Sequence, residues 1–375
     1  VTEGFADAEY DARVAAAQAR MAEEGLGALL LTDAADFRYF SGFLTAFWES
    51  PCRPWFLVVP AEGAPVAVVP TIGAPVVARC RVGEVRDWDA PAGDGIGLLA
   101  DTLRELAGGA PVGLPAGPGT KVRMPLADLD RLRAAWGLAL GDDRGIVAAL
   151  RAVKSPAEID RIAAACTIAG RAFDRVGEVA AAGVSLTEVF RGFQRLLLEE
   201  GADGVPYLAG GAGPHGYADV ISPAAAVPLQ LGDVLMLDTG AVSGGYFCDF
   251  DRNFAVGAVA SHLHDVHARL VEAAQAGLAA ARPGARACDV CAAMARELGG
   301  FDGGRLGHGL GFQLTEGLSL MPGDETVLRP GMVVTLEPVT GVTRGRIMVH
   351  EEVIAITEDA PRALSPLAGP RMPEI

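Results

Sequence analysis

"LMLDTGAVSGGYFCDFDRNF", residues 235–254, puts carboxylates where a core should be. Leu235, Met236 and Leu237 read as a strand entering the interior. Asp238 follows at once, then a Gly-rich turn, then Tyr246 and Phe247, and then Asp249 and Asp251 in the hairpin partner. A bare carboxylate is costly to bury, so this hairpin requires a source of positive charge.

The pattern returns toward the C-terminus. Glu337 follows "MVVTL", and Glu351 and Glu352 separate "IMVH" from "VIAIT". One histidine, His308, sits in the Gly-dense "GRLGHGLGF". Glycine there lets the backbone approach another surface and offer the imidazole inward. Singly, each residue has a plain structural reading. Asp238 before Thr-Gly caps a turn, Asp251 pairs with Arg252, and a Glu before Pro ends a strand at solvent. Together, four carboxylates and an imidazole repel one another unless they surround hard cations. Two divalent ions sharing such ligands sit ~3.5–4 Å apart and hold a bridging hydroxide. Oxygen donors with one imidazole suit Mn, Co, Fe or Zn rather than thiolate chemistry.

The bulk of the chain agrees with an enzyme. Its 375 residues allow two domains. A net charge of -16 argues against nucleic acid or an anionic membrane as partner. We find no apolar run of about 18 residues and no basic-then-apolar leader, so neither a membrane span nor a signal peptide is expected. Six scattered cysteines give no disulfide framework; Cys288 and Cys291 form a C-x-x-C that reads as part of a helix. A cytoplasmic location is expected.

Helix and strand signals alternate over the first part, which reads as a small α/β domain over 1–145. It runs from the helix "AEYDARVAAAQARMAEEG" through "GALLL" and "PWFLVVPAEGAPVAVVP" to the helix of "MPLADLDRLRAAWG". From 146 to 375 the pattern becomes α+β. Ser155, Pro156 and Glu158 form a capping box, and Ser185 with Glu188 a second. Long helices over antiparallel hairpins imply a curved sheet covered on one side.

These residues resemble the creatinase/aminopeptidase family, with its M24-type "pita-bread" catalytic domain. Its members include methionine aminopeptidase, Xaa-Pro aminopeptidase, prolidase and the metal-free creatinase. The resemblance covers nearly the whole chain. Residues 1–145 are similar to the N-terminal domain of the prolidase and creatinase branch, and "LRAVKSPAEID" to that branch's entry to the catalytic domain. The family's Asp-x-Gly, Tyr and Asp-x-Thr-Arg stand here as "LDTGAVSGGYFCDFDRNFAVG", its Gly-His-Gly-x-Gly as "GHGLGF". "GMVVTLEP" and "HEEVIAIT" match its last two motifs. The resemblance implies that Asp238 binds one ion and Asp249 bridges both. It implies that His308 and Glu337 hold the second ion and that Glu351 is the other bridge, with Glu337 as proton shuttle. Glu351 is chosen because Thr357 falls six residues later; a slip of one residue selects Glu352 and the other strand face. A homodimer is implied as well.

Three departures bear on the substrate. The peptidases' His-Glu-x-Pro is replaced by "LTEGLSL", so Thr315 stands where His would. Their His 17 residues before the first metal Asp is Ile221 here, with His215 six residues earlier. Asp251 replaces the motif Thr and adds negative charge. Thr315 cannot donate as an imidazolium does, and losing one transition-state donor costs ~10²–10³ in rate. His262, His264 and His267 open a helix and are expected at the surface; His350 is expected on the opposite face from Glu351, supporting the ligands or holding structure rather than binding metal. Trp48, Arg53 and Trp55 read as domain core; the resemblance implies the alternative that they rim a partner subunit's substrate entrance.

The resulting expectation is a dinuclear metal-dependent hydrolase similar to Xaa-Pro dipeptidases and aminopeptidases, acting on a short peptide. The alternative is a non-peptidase member acting on a small zwitterionic metabolite of the dimethylsulfoniopropionate or ectoine type. Its lyase or amidohydrolase chemistry would use Asp251 against a cationic group. A non-enzymatic binding module and a metal-free creatinase-like enzyme are opposed by the complete ligand set.

Overall fold

Ala28–Leu31 (β1), four consecutive apolar residues buried on both faces, forms the middle of the first unit's sheet. A strand without polar alternation has to be covered on both sides. The computed structural model describes residues 4–50, 52–136, 140–301 and 303–375. It divides into two units, Val1–Arg151 and Ala152–Ile375.

In the first unit α1 (Asp7–Glu24) buries Tyr10, Val14, Ala17 and Met21 at helical spacing and stops at the left-handed Gly25. Strands β2 (Phe56–Pro60), β3 (Val66–Pro70), β4 (Glu84–Trp88), β5 (Val112–Leu114) and β6 (Leu140–Asp142) complete a sheet ordered β4-β3-β2-β1-β5-β6. β1 is antiparallel to β2 and parallel to β5. Helices α2 (Ala34–Ser41), α3 (Ala74–Val77), α4 (Ile96–Ala107), α5 (Leu126–Trp136) and α6 (Ile146–Ala152) accompany it. Ala28 and Leu30 pack with Leu99 and Leu103 of α4 and Leu129 and Leu132 of α5. Gly137, the last residue of the helix expected there, lies outside the described residues.

The second unit opens with α7 (Pro156–Asp174) and α8 (Leu186–Glu199), each started by the capping box the sequence predicts. Next come β7 (Gly204–Gly213), β8 (Val234–Ser243), β9 (Tyr246–Phe247) and β10 (Phe250–Ala255), arranged β10-β8-β7 with β9 on β8. Helices α9 (Ser261–Ala280) and α10 (Ala287–Glu297) follow. The chain finishes with β11 (Val333–Leu336), β12 (Val339–Thr343), β13 (Arg346–Val349), β14 (Glu352–Ala355) and β15 (Arg362–Ala363). Leu270, Ala273 and Ala274 of α9 share a core with Met294 of α10, Met236 of β8, Val334 of β11 and Ile354 of β14. Gly277 permits the two helices to close, since a Cβ there would meet Met294 at 2.8 Å.

The antiparallel hairpins expected here are present, but their ladders are segmented into sheets of four, three and two strands. The breaks fall at Glu337–Pro338, between β11 and β12, and at His350–Glu351, between β13 and β14. Pro338 has no N–H to continue a ladder. Both breaks occur where acidic side chains leave the sheet. Among the described residues, no helix is long and apolar enough to cross a membrane.

Candidate metal centre

Three elements of the second unit bring Asp249, His308 and Glu351 together. Asp249 lies between β9 and β10, and Glu351 between β13 and β14. His308 is carried by a Gly-rich segment that pairs beside β11. There Thr335 N–H donates to the His308 carbonyl at 2.7 Å, and His308 N–H donates to Thr335 Oγ1 at 3.1 Å. Gly307 makes this approach possible: its φ is +141°, and a Cβ would lie 2.2 Å from the Thr335 carbonyl oxygen.

One ligand atom from each of Asp249, His308 and Glu351 lies within 4.8 Å of the others, and all three side chains are buried. His308 Nε2 is 3.3 Å from Asp249 Oδ2 and 4.0 Å from Glu351 Oε1. His308 Nδ1 is 3.1 Å from the Gly309 carbonyl oxygen. A carbonyl only accepts, so Nδ1 carries the proton and Nε2 presents a lone pair to the carboxylates. Burial, then the charge of Arg305, depresses the imidazole pKa to about 4, which keeps it neutral. An unprotonated nitrogen and ionised carboxylate oxygens facing one another are unfavourable unless a cation or a proton lies between them.

Asp238 and Glu337 stand outside that three-residue cluster and act on it through their charge. Asp238 stands opposite Ala209 of β7 and Asp251 of β10 in the ladders. Its Oδ2 accepts from Tyr207 Oη at 3.0 Å, while Oδ1 is buried without a partner. Glu351 Oε1 is also buried without one. Glu337 is half-buried at the end of β11. Burial raises Asp238 to about 6, with Tyr207 opposing. Burial, followed by the charge of Asp238, raises Glu337 to about 7. Asp249 is pushed well above the usual range by burial, then by Asp238 and Glu337, and Glu351 by burial, then by Asp249 and Glu337. Carboxylates that raise one another's pKa and keep oxygens unpaired fit a site for hard cations.

Glu351 and Glu352 diverge. Glu352 accepts from Arg252 Nη2 at 2.9 Å, from Ser365 Oγ at 2.5 Å and from His350 Nε2 at 3.1 Å. Arg252 therefore pairs with Glu352, and its side chain also reaches the Glu351 carbonyl at 3.0 Å. Asp251 is 1% exposed, and its unpartnered Oδ1 lies 3.8 Å from His350 Nδ1. His267, expected at the surface, is buried instead. Its Nε2 is 3.2 Å from the Gly369 carbonyl oxygen and its ring stands edge-on to His350. His215 is exposed beside His262, at 6.2 Å between ring centres, and Ile221 is 84% exposed. Thr315 is exposed and accepts from Arg305 Nη2 at 3.4 Å. In the first unit Trp48 is buried and stacked on Trp55 at 5.8 Å, and Arg53 lies over Phe47. Tyr207 and Arg305 were not singled out by sequence. Their link to the site depends on strand pairing and on a loop contact that no local motif encodes.

Residues 160–358 match metallopeptidase family M24, and residues 13–153 match the creatinase/prolidase N-terminal domain. The chain belongs to metallopeptidase family M24 and is a metallohydrolase, with the family's pita-bread fold behind a creatinase-type N-terminal domain. It is 32% identical over 368 residues to the probable dipeptidase PepE of Mycobacterium tuberculosis, covering 94% of each chain. It is 30% identical over 232 residues to the Xaa-Pro dipeptidase of Pyrococcus furiosus, 59% of this chain and 65% of that one. The crystal structure of dipeptidase PepE from Mycobacterium ulcerans superposes with a TM-score of 0.85 at 28% identity, over 100% of both chains. The prolidase of Thermococcus sibiricus shares the fold, with a TM-score of 0.87 at 24% identity over 98% of this chain and 99% of that one.

Proposed function

We propose that this chain is a dinuclear metallodipeptidase. The observation that carries the reading is the bare Nε2 of His308 facing Asp249 Oδ2 and Glu351 Oε1, in a chain similar over 94% of its length to a probable dipeptidase. Asp238, Asp249, His308, Glu337 and Glu351 would hold the ions, with Asp249 and Glu351 shared. Bound there, divalent cations supply Lewis acidity toward a peptide carbonyl and acidify an attacking water. The chain's own groups set the geometry. Tyr207 fixes Asp238 through Oδ2 and leaves Oδ1 to coordinate. The Gly309 carbonyl holds the proton of His308 on Nδ1. Glu337, at the edge of the buried group, is the carboxylate placed to pass a proton to the departing amine.

The oxygen-rich donor set supports manganese, cobalt, zinc or iron. The six cysteines are free thiols, which supports a reducing, cytoplasmic setting. A homodimer completes the reading, and its solution mass tests it.

Turnover of Xaa-Pro and other dipeptides by protein reconstituted with Mn or Co tests the function. Metal-dependent cleavage is expected. A protein that takes up metal yet cleaves no dipeptide would overturn the peptidase assignment in favour of a non-peptide substrate, in keeping with Ile221 and Thr315 standing where the family's peptidases carry histidines.

A further inference from the structure

We infer that Lys154 is a positioning residue of the metal centre: through Glu316 it holds the Gly309 carbonyl, which keeps the His308 proton on Nδ1 and leaves Nε2 for a cation. This rests on the metallodipeptidase reading and adds what sets its nitrogen ligand.

The starting point is a buried ion pair between distant segments. Lys154 Nζ is 2.8 Å from Glu316 Oε1, and the two side chains are 2% and 9% exposed. Lys154 belongs to "LRAVKSPAEID" and Glu316 to "LTEGLSL". Desolvating both charges offsets most of their attraction, so such a pair contributes little net stability. What it supplies is a fixed geometry. The fit is close: a Cβ at Gly311 would collide with Glu316 Oε1 and stand 3.0 Å from Lys154 Cε. The lysine end is anchored. Lys154 N–H donates to the Gly331 carbonyl at 2.8 Å, and the capping box of α7 begins at the next residue.

From Glu316 the constraint reaches His308 through one shared acceptor. Glu316 N–H donates to the Gly309 carbonyl at 2.8 Å, and the same oxygen is 3.1 Å from His308 Nδ1. A carbonyl has two lone pairs and accepts from both. Gly309 N–H donates to the Leu318 carbonyl at 3.0 Å, which holds the residue from its other side. The loop also meets β9 just ahead of Asp249, where Phe247 N–H donates to the Gly311 carbonyl at 2.9 Å. A neutral imidazole carries its proton on one nitrogen only. If the Gly309 carbonyl moves away, the competing acceptor is Asp249 Oδ2, 3.3 Å from Nε2. A proton there takes the lone pair that a metal needs. The tautomer is thus a choice between two acceptors, and the Lys154–Glu316 pair decides it.

The test compares wild type, K154M, K154R, E316Q and, as a stability control, M294A in the core between α9 and α10. Two-bond proton–nitrogen spectra of protein carrying isotopically labelled histidine, recorded in chelator, show which nitrogen is protonated. The His308 signals are assigned by their absence in His308→Asn. Competition against a chelator gives Mn affinity. Wild type should show the proton on Nδ1. K154M and E316Q should move it toward Nε2 and weaken Mn binding by about 10–100-fold, the scale for an outer residue that orients a ligand. K154R should recover most of both. M294A should lower the melting temperature and change neither. If K154M does not fold, E316Q carries the comparison. A wild-type proton on Nε2, or K154M and E316Q with either readout unchanged, would overturn the assignment and leave the dipeptidase reading intact. Shifts of the same size in M294A would also overturn it, since general stability then accounts for them. The expected tautomers and affinities, with no dipeptide cleaved by loaded wild type, would overturn the dipeptidase reading alone.

Discussion

His308 Nε2 faces Asp249 Oδ2 across 3.3 Å with its proton held on the far nitrogen by the Gly309 carbonyl. A neutral acceptor aimed at an ionised carboxylate gains nothing by itself. The arrangement is favourable when a cation takes both lone pairs. The segment that provides it is costly to build, since it requires Gly307 at φ +141° against the β11 backbone.

Adjacent glutamates should give opposite phenotypes. Glu351→Gln should reduce metal uptake and leave the melting temperature of the metal-free chain unchanged or raised, since one buried repulsive charge is gone. Glu352→Gln should retain metal but lose stability, by about 3 kcal/mol at the low end for a broken buried pair, because it strips the charged partner from the partly buried Arg252. Elemental analysis beside thermal melts reads both. Metal loss from Glu352→Gln with intact Glu351→Gln would reverse the assignment.

Tyr207→Phe removes the donor to Asp238 Oδ2, 3.0 Å away, without emptying the space of the ring. Losing an outer hydrogen bond to a ligand typically costs 10–100-fold in metal affinity. Competition against a fluorescent chelator should show a loss of about that size. Wild-type affinity would mean that Asp238 does not coordinate, or that water replaces the phenol.

The metal-free chain should lose stability as pH rises above 6.5. Asp238 and Glu337 have folded-state pKa values raised to about 6 and about 7, and Asp249 and Glu351 are raised well above the usual range, chiefly by burial. A raised carboxylate binds its proton more tightly in the folded state. Its contribution is therefore full below the unfolded value of about 4 and is lost as pH climbs through the folded value. His308 and His267, both depressed to about 4, act in the opposite direction, but between about 4 and 6.5. Above 6.5 the carboxylate effect acts against little opposition. In chelator, the melting temperature should fall from pH 6.5 to 8, and added Mn should restore it. A flat or rising profile in chelator would count against a shared buried site.

Much of this architecture was legible in local chemistry. The capping boxes at Ser155 and Ser185 start α7 and α8, and the β8–β10 pairing follows from apolar strands flanking a Gly-rich turn. The acidic residues were conspicuous because they interrupt apolar strands. What stayed hidden depends on contacts between distant segments. Tyr207 meets Asp238 through the β7–β8 register, which places Ala209 opposite Asp238. His267 reads as a surface residue at a helix start, yet Gly369 and His350 close over it. The sheet breaks at Pro338 and Glu351 look like strand continuations until the ladders are traced.

The most direct measurement is metal stoichiometry per chain, by elemental analysis after reconstitution and desalting, for wild type and Asp249→Asn. The shared-carboxylate centre predicts two equivalents in wild type and fewer than one in the variant, with activity falling in step. One equivalent or none in wild type, or two in Asp249→Asn, would contradict it.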